Sequence, residues 1–202
     1  MIHIIDYGMG NLGSMRNMFK RIGTEAKIES DPAKLVHASK LVLPGVGSFD
    51  AAMTRINSTD GLRELLEKKA NIEKVPILGV CLGMQLLTNS SEEGNSLGLG
   101  WINAKTLRFP KKDGIKVPHM GWNVASPLKD IPLLAKVGVE PRYYFVHSFC
   151  VQVEDKEHAI MTTEYGWKFD SAISKENIYG VQFHPEKSHR FGMQILTNFA
   201  KL

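Results

Sequence analysis

Short apolar runs alternate with helical segments through the first half of the sequence, and this alternation constrains the fold more than any other feature. The strand-like runs, each rich in aliphatic side chains, are Ile2–Ile5 and residues 26–28, 41–43 and 75–80. A chain that alternates strands with helices joins parallel strands by right-handed crossovers, which cover both faces of the sheet. We therefore predict a doubly wound α/β fold with a mainly parallel sheet.

Helix signals lie between these runs. Apolar residues recur at helical spacing in two of the intervening segments: Met15, Met18, Phe19 and Ile22 in the first, and Leu62, Leu65 and Leu66 in the last. Asp31 followed by Pro32 is typical of an N-cap with proline at the first helical position. Asp60 is the candidate cap of the later helix.

The second half of the chain has a different pattern of predicted secondary structure. Residues 101–109, 117–124, 143–153, 159–163 and 178–183 are strand-like, with few helices between them. We interpret these runs as antiparallel or mixed additions to the same sheet. Phe191, Ile195 and Phe199 predict a closing helix, and residues 1–202 are expected to form a single domain.

Composition excludes several classes of function. The net charge of +4 is spread along the chain, and the basic pairs at residues 68–69 and 111–112 are expected to be solvated surface, so no nucleic-acid partner is predicted. No apolar run approaches the ~20 residues that a membrane span requires, and residues 1–6 do not resemble a signal peptide. Cys81 and Cys150 are the only cysteines, which argues against a disulfide framework or a cysteine-rich zinc site and favours the cytoplasm.

One motif indicates a different class of enzyme. Gly8, Gly10 and Gly13 form a G-x-G-x-x-G pattern after the first strand, and Glu29 stands where a ribose-binding acid would lie. This pattern is typical of dinucleotide-binding oxidoreductases. Glycines also serve any tight strand-to-helix turn, so the motif has a purely structural alternative.

A second glycine-flanked turn carries a nucleophile. Residues 79–83 read G-V-C-L-G, the thiol counterpart of the G-x-S-x-G elbow, in which small residues flank a strained nucleophile. Such a turn exposes Cys81 at the carboxyl edge of the sheet and near a helix N-terminus, which favours the thiolate. The alternative is a buried structural cysteine between two chance glycines.

Two further segments supply partners for this cysteine. His184 and Glu186 are two residues apart, and in extended chain they would project into one crevice, where the carboxylate would orient the imidazole. A surface turn, or a metal site that includes His189, is the alternative. The glycine-rich residues 44–47 could turn backbone N–H groups toward an oxyanion.

These segments together resemble the class I (triad-type) glutamine amidotransferases, and within that family most closely the glutaminase subunits of imidazole glycerol phosphate synthases. The motifs that carry the resemblance are DYGMGNL at residues 6–12, PGVGSF at 44–49, GVCLGMQ at 79–85, PHMGWN at 118–123, YFVHS at 144–148 and HPEKS at 184–188. The resemblance covers nearly the whole chain.

The resemblance implies a covalent glutaminase mechanism. Cys81 would attack the side-chain amide of glutamine, His184 would accept its proton and Glu186 would orient His184. The oxyanion would be held by backbone groups of Leu82, Val46 and Gly47. The residues implied to bind glutamine are Gly45, Gln85, Glu93, Tyr144, His147 and Ser148. No cofactor and no metal are implied.

The resemblance also implies a partner, a (β/α)8-barrel cyclase subunit that forms a heterodimer with this chain and receives the ammonia through a tunnel. Its binding is thought to complete the oxyanion hole at residues 45–47, and the N-terminal glycines would face it rather than a dinucleotide. The interface candidates are Asn11, Met120, Trp122 and Lys187. Residues 187–192 resemble instead relatives paired with amidine-forming enzymes of surface sugars, which leaves the ammonia acceptor open.

Overall fold

The computed structural model describes residues 1–110 and 112–202, so Lys111 of the second basic pair lies outside it. The strands are β1 Ile2–Ile5, β2 Ala26–Glu29, β3 Lys40–Gly45, β4 Ile77–Cys81, β5 Ser90–Ser91, β6 Ala104–Arg108, β7 His119–Val124, β8 Ser126–Pro127, β9 Arg142–His147, β10 Phe149–Val153, β11 Ala159–Glu164, β12 Lys168–Lys175 and β13 Ile178–Val181. The helices are α1 Leu12–Arg21, α2 Pro32–Leu35, α3 Phe49–Ser58, α4 Leu62–Glu67, α5 Leu82–Leu86 and α6 His189–Lys201.

The main sheet confirms the predicted fold class. Its parallel part runs in the order β2-β1-β3-β4-β13, and the antiparallel strands β12, β10 and β6 extend it with sequence from the second half. Successive side chains of β3 are buried on opposite faces of the sheet: Leu41 and Leu43 belong to the core on one face, whereas Val42 belongs to the core on the other. Helices therefore cover both faces, as a doubly wound sheet requires.

One expectation about the second half was wrong. Strands β7 and β9 do not join the main sheet but pair antiparallel with each other as a two-stranded sheet. The run at residues 143–153, read as one strand, breaks at Ser148, so that β9 pairs with β7 while β10 pairs with β6. The break matters because it brings His147 and Phe149 to the carboxyl edge of the main sheet.

Other local differences have simple causes. Asp60 does not cap α4; the preceding residue is Gly61, whose φ of +70° allows the chain to turn without a side-chain cap. Helix α3 and strand β12 were not anticipated, although Phe49, Met53 and Ile56 lie on one buried face of α3. Asp31 does cap α2, accepting a hydrogen bond from the Ala33 N–H at 3.0 Å. Among the described residues, no helix is both long and apolar enough to cross a bilayer.

Candidate active site

Cys81 lies at the end of β4 in a backbone conformation that few residues adopt. Its φ of +56° and ψ of −111° place it in the left-handed half of conformational space, immediately before α5. The flanking glycines are required by contact: a Cβ on Gly79 would lie 2.6 Å from the Gly83 carbonyl oxygen, and a Cβ on Gly83 would overlap the Leu43 carbonyl. The sequence therefore builds a nucleophile elbow at this position.

A cavity of about 320 Å³ opens at this elbow. Of the residues predicted to carry the reaction, it is lined by Cys81, His184, Leu82, Val46 and Gly47; of those predicted to bind glutamine, by Gln85, Glu93, His147 and Ser148. Lys187, predicted for the partner interface, also lies on its wall. A free amino acid fits a space of this size, which lies at the carboxyl edge of the parallel strands.

His184 and Glu186 form a buried pair. Nδ1 of His184 lies 2.9 Å from Oε1 of Glu186, and each side chain is 3% exposed. The predicted reason was wrong, because residues 185–187 form a single 3₁₀ turn, not extended chain. The Ser188 hydroxyl secures this turn: it donates to the His184 carbonyl at 2.6 Å and accepts from the Tyr144 N–H at 2.9 Å.

The electrostatics of His184 suit a proton acceptor. Burial lowers its pKa, but the adjacent Cys81 sulfur and the Glu186 carboxylate raise it more strongly, so the pKa stands well above its ordinary value. Its Nε2 is buried and has no hydrogen-bond partner within the described residues. The sulfur of Cys81 is instead 3.9 Å from the Val146 carbonyl oxygen. The structure thus brings thiol and base to one cavity, with the base nitrogen free.

The glycine-rich segment after β3 lies beside Leu82. A Cβ on Gly45 would be 2.9 Å from Cβ of Leu82, and the Tyr7 hydroxyl donates to the Pro44 carbonyl at 2.6 Å. Gly47 has a φ of +125°, a conformation that strongly favours glycine. Val46 between them is 54% exposed. The segment is anchored at one end and exposed at its centre; its role in an oxyanion hole stays a prediction.

Two of the residues predicted to bind glutamine, Gln85 and Glu93, already make hydrogen bonds within the protein. These bonds determine which of their polar atoms remain available to a substrate. The Gln85 amide nitrogen donates to the Phe149 carbonyl at 3.2 Å, which leaves its carbonyl oxygen for a donor such as an ammonium. Oε2 of Glu93 accepts a hydrogen bond from the Phe49 N–H at the start of α3, at 2.8 Å. The other carboxylate oxygen of Glu93 remains available to a donor of the substrate. Both side chains line the cavity, as an amino-acid site requires.

His147 lines the cavity but has no free ring nitrogen. Its Nδ1 is 2.7 Å from the Phe149 carbonyl oxygen and its Nε2 is 3.0 Å from Nδ1 of His119. Nε2 of His119 in turn lies 3.3 Å from the Asn123 amide nitrogen. Burial lowers the pKa of His147 to about 3 and that of His119 to about 4, so both rings are neutral. The His147 ring can contact glutamine only through carbon.

Two of the interface candidates, Met120 and Trp122, lie on the two-stranded sheet beside the cavity. Met120 and Trp122 on β7 are 61% and 47% exposed. Tyr144 does not line the cavity: its ring centroid is 6.3 Å from that of Trp122, and Nζ of Lys187 lies 5.7 Å over it. His189, the alternative metal ligand, stacks on Trp122 at 5.4 Å. Tyr144 therefore groups with the interface candidates rather than with the cavity residues.

The N-terminal glycine loop contacts the glycine-rich segment after β3. A Cβ on Gly10 would lie 3.2 Å from Cβ of Pro44, so the loop packs against the glycine-rich segment after β3. Asn11 caps α1, accepting from the Ser14 N–H at 3.4 Å. Gly45 and Glu186 line a small cavity together with Asn11. Apart from its chain neighbours and the backbone of α1, no described residue lies within 4 Å of a Cβ placed on Gly13.

Sequence reasoning did not single out Gln182. Its side chain is fully buried, and its amide nitrogen is 3.7 Å from the Cys81 sulfur. A signal was present, because a lone polar side chain stands among apolar neighbours in a buried strand-like run.

The family comparison decides the membership of the chain. A profile of the family described as "Glutamine amidotransferase class-I" matches residues 3–202. The chain belongs to this family. It is therefore a glutamine amidotransferase, and its fold resembles solved members at low identity. A putative GMP synthase subunit from Thermoplasma acidophilum superposes with a TM-score of 0.73 at 20% identity, over 99% of this chain and 92% of that one. A structure described only as glutamine amidotransferase gives 0.75 at 16% identity, over 100% and 99%.

Curated relatives are much more similar in sequence. A protein named imidazole glycerol phosphate synthase subunit HisH 2, from Methanococcus maripaludis, is 56% identical and covers 100% of this chain and 99% of its own length. One of the same name from Pseudomonas aeruginosa is 46% identical, with 100% coverage of both. A subunit HisH from Bdellovibrio bacteriovorus is 43% identical, also with 100% coverage of both.

Proposed function

We propose that this chain, as a single domain over residues 1–202, is the glutaminase subunit of an imidazole glycerol phosphate synthase in histidine biosynthesis. The observation that carries the proposal is the constellation at the elbow. A strained Cys81 shares a cavity with His184, whose Nδ1 lies 2.9 Å from Glu186 and whose Nε2 has no hydrogen-bond partner among the residues that the structure describes. The full-length relatives named as synthase subunits support the assignment of the acceptor.

These contacts support the following reaction. Cys81 transfers its proton to Nε2 of His184 while sulfur attacks the side-chain carbonyl carbon of glutamine. The oxyanion that forms is held by backbone N–H groups of Leu82 and of residues 46–47. His184 then returns the proton to the leaving nitrogen, ammonia departs, and water hydrolyses the thioester to release glutamate. Glu186 stabilises the imidazolium throughout.

A barrel-type cyclase subunit is the proposed partner, joined to this chain as a cytoplasmic heterodimer that channels ammonia. Exposed apolar surface supports the location of the interface: Met120 and Trp122 stand beside the cavity wall to which Lys187 contributes. Aromatic and methionine side chains of this kind are enriched in interface cores. The Asn11 loop packs against the glycine-rich segment and would complete the proposed surface.

The segment at residues 187–192 supports a second candidate acceptor of the ammonia, an amidine-forming enzyme of surface sugars. His189, within residues 187–192, stacks on Trp122, so this segment adjoins the proposed interface and would help select the partner. The deciding experiment supplies glutamine labelled with ¹⁵N in its amide to this chain together with each candidate synthase and its substrate. Label in imidazole glycerol phosphate supports the proposal. Label only in a sugar amidine would show that the amidine-forming enzyme is the ammonia acceptor, and label in neither product would refute both candidate acceptors.

A further inference from the structure

Gln182 contacts the proposed nucleophile Cys81, although the proposed glutaminase mechanism gives it no role. It follows β13 with 0% of its surface exposed. Its Nε2 is 3.7 Å from Sγ of Cys81, and its Oε1 is 3.1 Å from Nε2 of Gln85. A buried side-chain amide is retained in a core only when its polar atoms find partners. Here one of those partners is the reacting sulfur.

The orientation of both amides is fixed by a backbone carbonyl. The Phe149 oxygen can only accept, so the group of Gln85 that faces it at 3.2 Å must be the amide nitrogen. The same nitrogen reaches Gln182, so Gln182 must present its oxygen to Gln85. Reversing either amide would oppose two donors or two acceptors. The remaining end of Gln182, its NH₂ group, therefore faces Cys81.

The other polar contact of the sulfur has the opposite character. The Val146 carbonyl, 3.9 Å away, can only accept and so favours the protonated thiol. The Gln182 N–H favours the form in which sulfur accepts, because a charged acceptor forms the stronger hydrogen bond. Its effect is enhanced by burial, since Cys81 is only 7% exposed and little water competes for the sulfur.

We propose that Gln182 is a further catalytic residue, which donates a hydrogen bond to the Cys81 sulfur and stabilises the thiolate formed when His184 takes the thiol proton. Gln182 transfers no proton: the S–H bond breaks, the N–H bond forms on His184, and the amide stays neutral. The same contact stabilises the thiolate when it leaves during hydrolysis of the thioester. Gln85 acts behind it as the residue that holds the amide orientation. The inference rests on the proposed function of Cys81.

The test compares Gln182→Met with the wild-type chain in the assembled synthase. Methionine keeps the approximate size and apolar fit of the side chain but cannot donate. The rate of alkylation of Cys81 by iodoacetamide is followed against pH, because only the thiolate reacts. We expect the midpoint of this profile to rise by about one pH unit and the rate at neutral pH to fall about tenfold. Gln85→Met should shift the midpoint in the same direction.

Gln194→Met is the matched control, since the Gln194 amide nitrogen bonds to Asn198 on α6, away from the cavity. Its alkylation profile should equal that of the wild type. An unchanged midpoint in Gln182→Met would overturn the proposal, even if the variant were less stable. The wild-type protein provides a second measurement that needs no variant: the side-chain amide resonance of Gln182 should shift with the same midpoint as the alkylation rate. A resonance that stays fixed across that midpoint would also overturn it.

These outcomes separate the inference from the proposed function. If wild-type synthase uses glutamine but Gln182→Met leaves the midpoint unchanged, only the role of Gln182 fails. If wild-type synthase does not release ammonia from glutamine, the proposed function fails whatever the profile of Gln182→Met.

Discussion

Nδ1 of His119 lies 3.0 Å from Nε2 of His147, and the Phe149 carbonyl determines which ring donates. That carbonyl can only accept, so the proton of neutral His147 resides on Nδ1, 2.7 Å away, and His119 must donate to the other nitrogen. An added proton on either ring would oppose two donors. With both rings neutral, the pair therefore links β7, which carries Met120 and Trp122, to the cavity-lining His147.

This arrangement predicts a loss of stability in mild acid. Burial lowers the pKa of both rings in the folded state, to about 4 and about 3, from 6.5 for an ordinary histidine. Between those values the unfolded chain binds more protons, so the free energy of unfolding falls as pH falls below 6.5. At about pH 5 the loss would be about 2 kcal/mol for each ring.

Urea unfolding at neutral pH and at about pH 5 measures this effect. His119→Gln should reduce the acid-dependent loss by roughly half. The exposed His37 offers a control, and His37→Gln should keep the wild-type dependence. An unfolding free energy for His119→Gln that falls with pH as steeply as that of the wild type would contradict the account of the pair.

Glu186→Gln should lower the glutaminase rate by about 10²-fold without abolishing it. Glutamine can still accept from Nδ1 of His184 at the present 2.9 Å, but it removes the charge that stabilises the imidazolium. The pKa of His184 should fall, which NMR titration of its ring would show together with steady-state kinetics. Glu176→Gln, at an exposed pair with Lys74, should change neither quantity. Equal losses in the two variants would remove Glu186 from its proposed role.

Two glycine-to-alanine variants should change the free energy of unfolding in opposite directions. Gly83→Ala places a methyl group against the Leu43 carbonyl and should destabilise the fold by about 3 kcal/mol. Gly13→Ala adds a methyl group in α1 that would meet no described side chain within 4 Å, and it should stabilise the fold by about 0.5–1 kcal/mol. Thermal unfolding compares them. A Gly13→Ala variant that unfolds as readily as Gly83→Ala would show that the N-terminal motif needs its third glycine, as the dinucleotide interpretation holds.

Cys150 should be unreactive toward alkylating reagents. It is 1% exposed, and burial, with further contributions from Asp170 and Glu92, raises the pKa of its thiol to about 12. Peptide mapping after brief treatment with iodoacetamide should place the label on Cys81. In Cys81→Ala the fast phase should vanish, whereas Cys150→Ser should retain it. Fast labelling of Cys150 alone would refute the assignment of the nucleophile.

The sequence predicted those parts of the fold that repeat a local pattern. Burial on both faces made β1, β3 and β4 mainly aliphatic, and the proline after Asp31 marked the start of α2. The sequence did not predict β12 because the strand carries Asp170 and Ser171 among its apolar residues. Both are buried, and Asp170 lies opposite Val151 of β10 and Thr162 of β11. The break at Ser148 likewise depends on which strands pair, and strand pairing is a long-range property.

In the candidate site, too, the sequence predicted the residues that a local pattern marks and missed those that depend on long-range contacts. Cys81 was marked by its own neighbours, because the elbow needs glycines at fixed positions. His184 and Glu186 were chosen with a wrong geometry, since a 3₁₀ turn rather than extended chain brings them together. Gln182 and His119 were not singled out as site residues, because their roles depend on partners distant in sequence, Cys81 and His147. No local pattern records such contacts.

The central claim is tested most directly by replacing the sulfur of Cys81 in the assembled synthase. Product formation is measured once with glutamine and once with added ammonium salts as the nitrogen source. Cys81→Ala should lose at least about 10³-fold of the glutamine-dependent rate, because no covalent intermediate forms, and should keep the ammonium-dependent rate. Cys150→Ala should keep both. If Cys81→Ala retained the wild-type glutamine-dependent rate, Cys81 would not be the nucleophile.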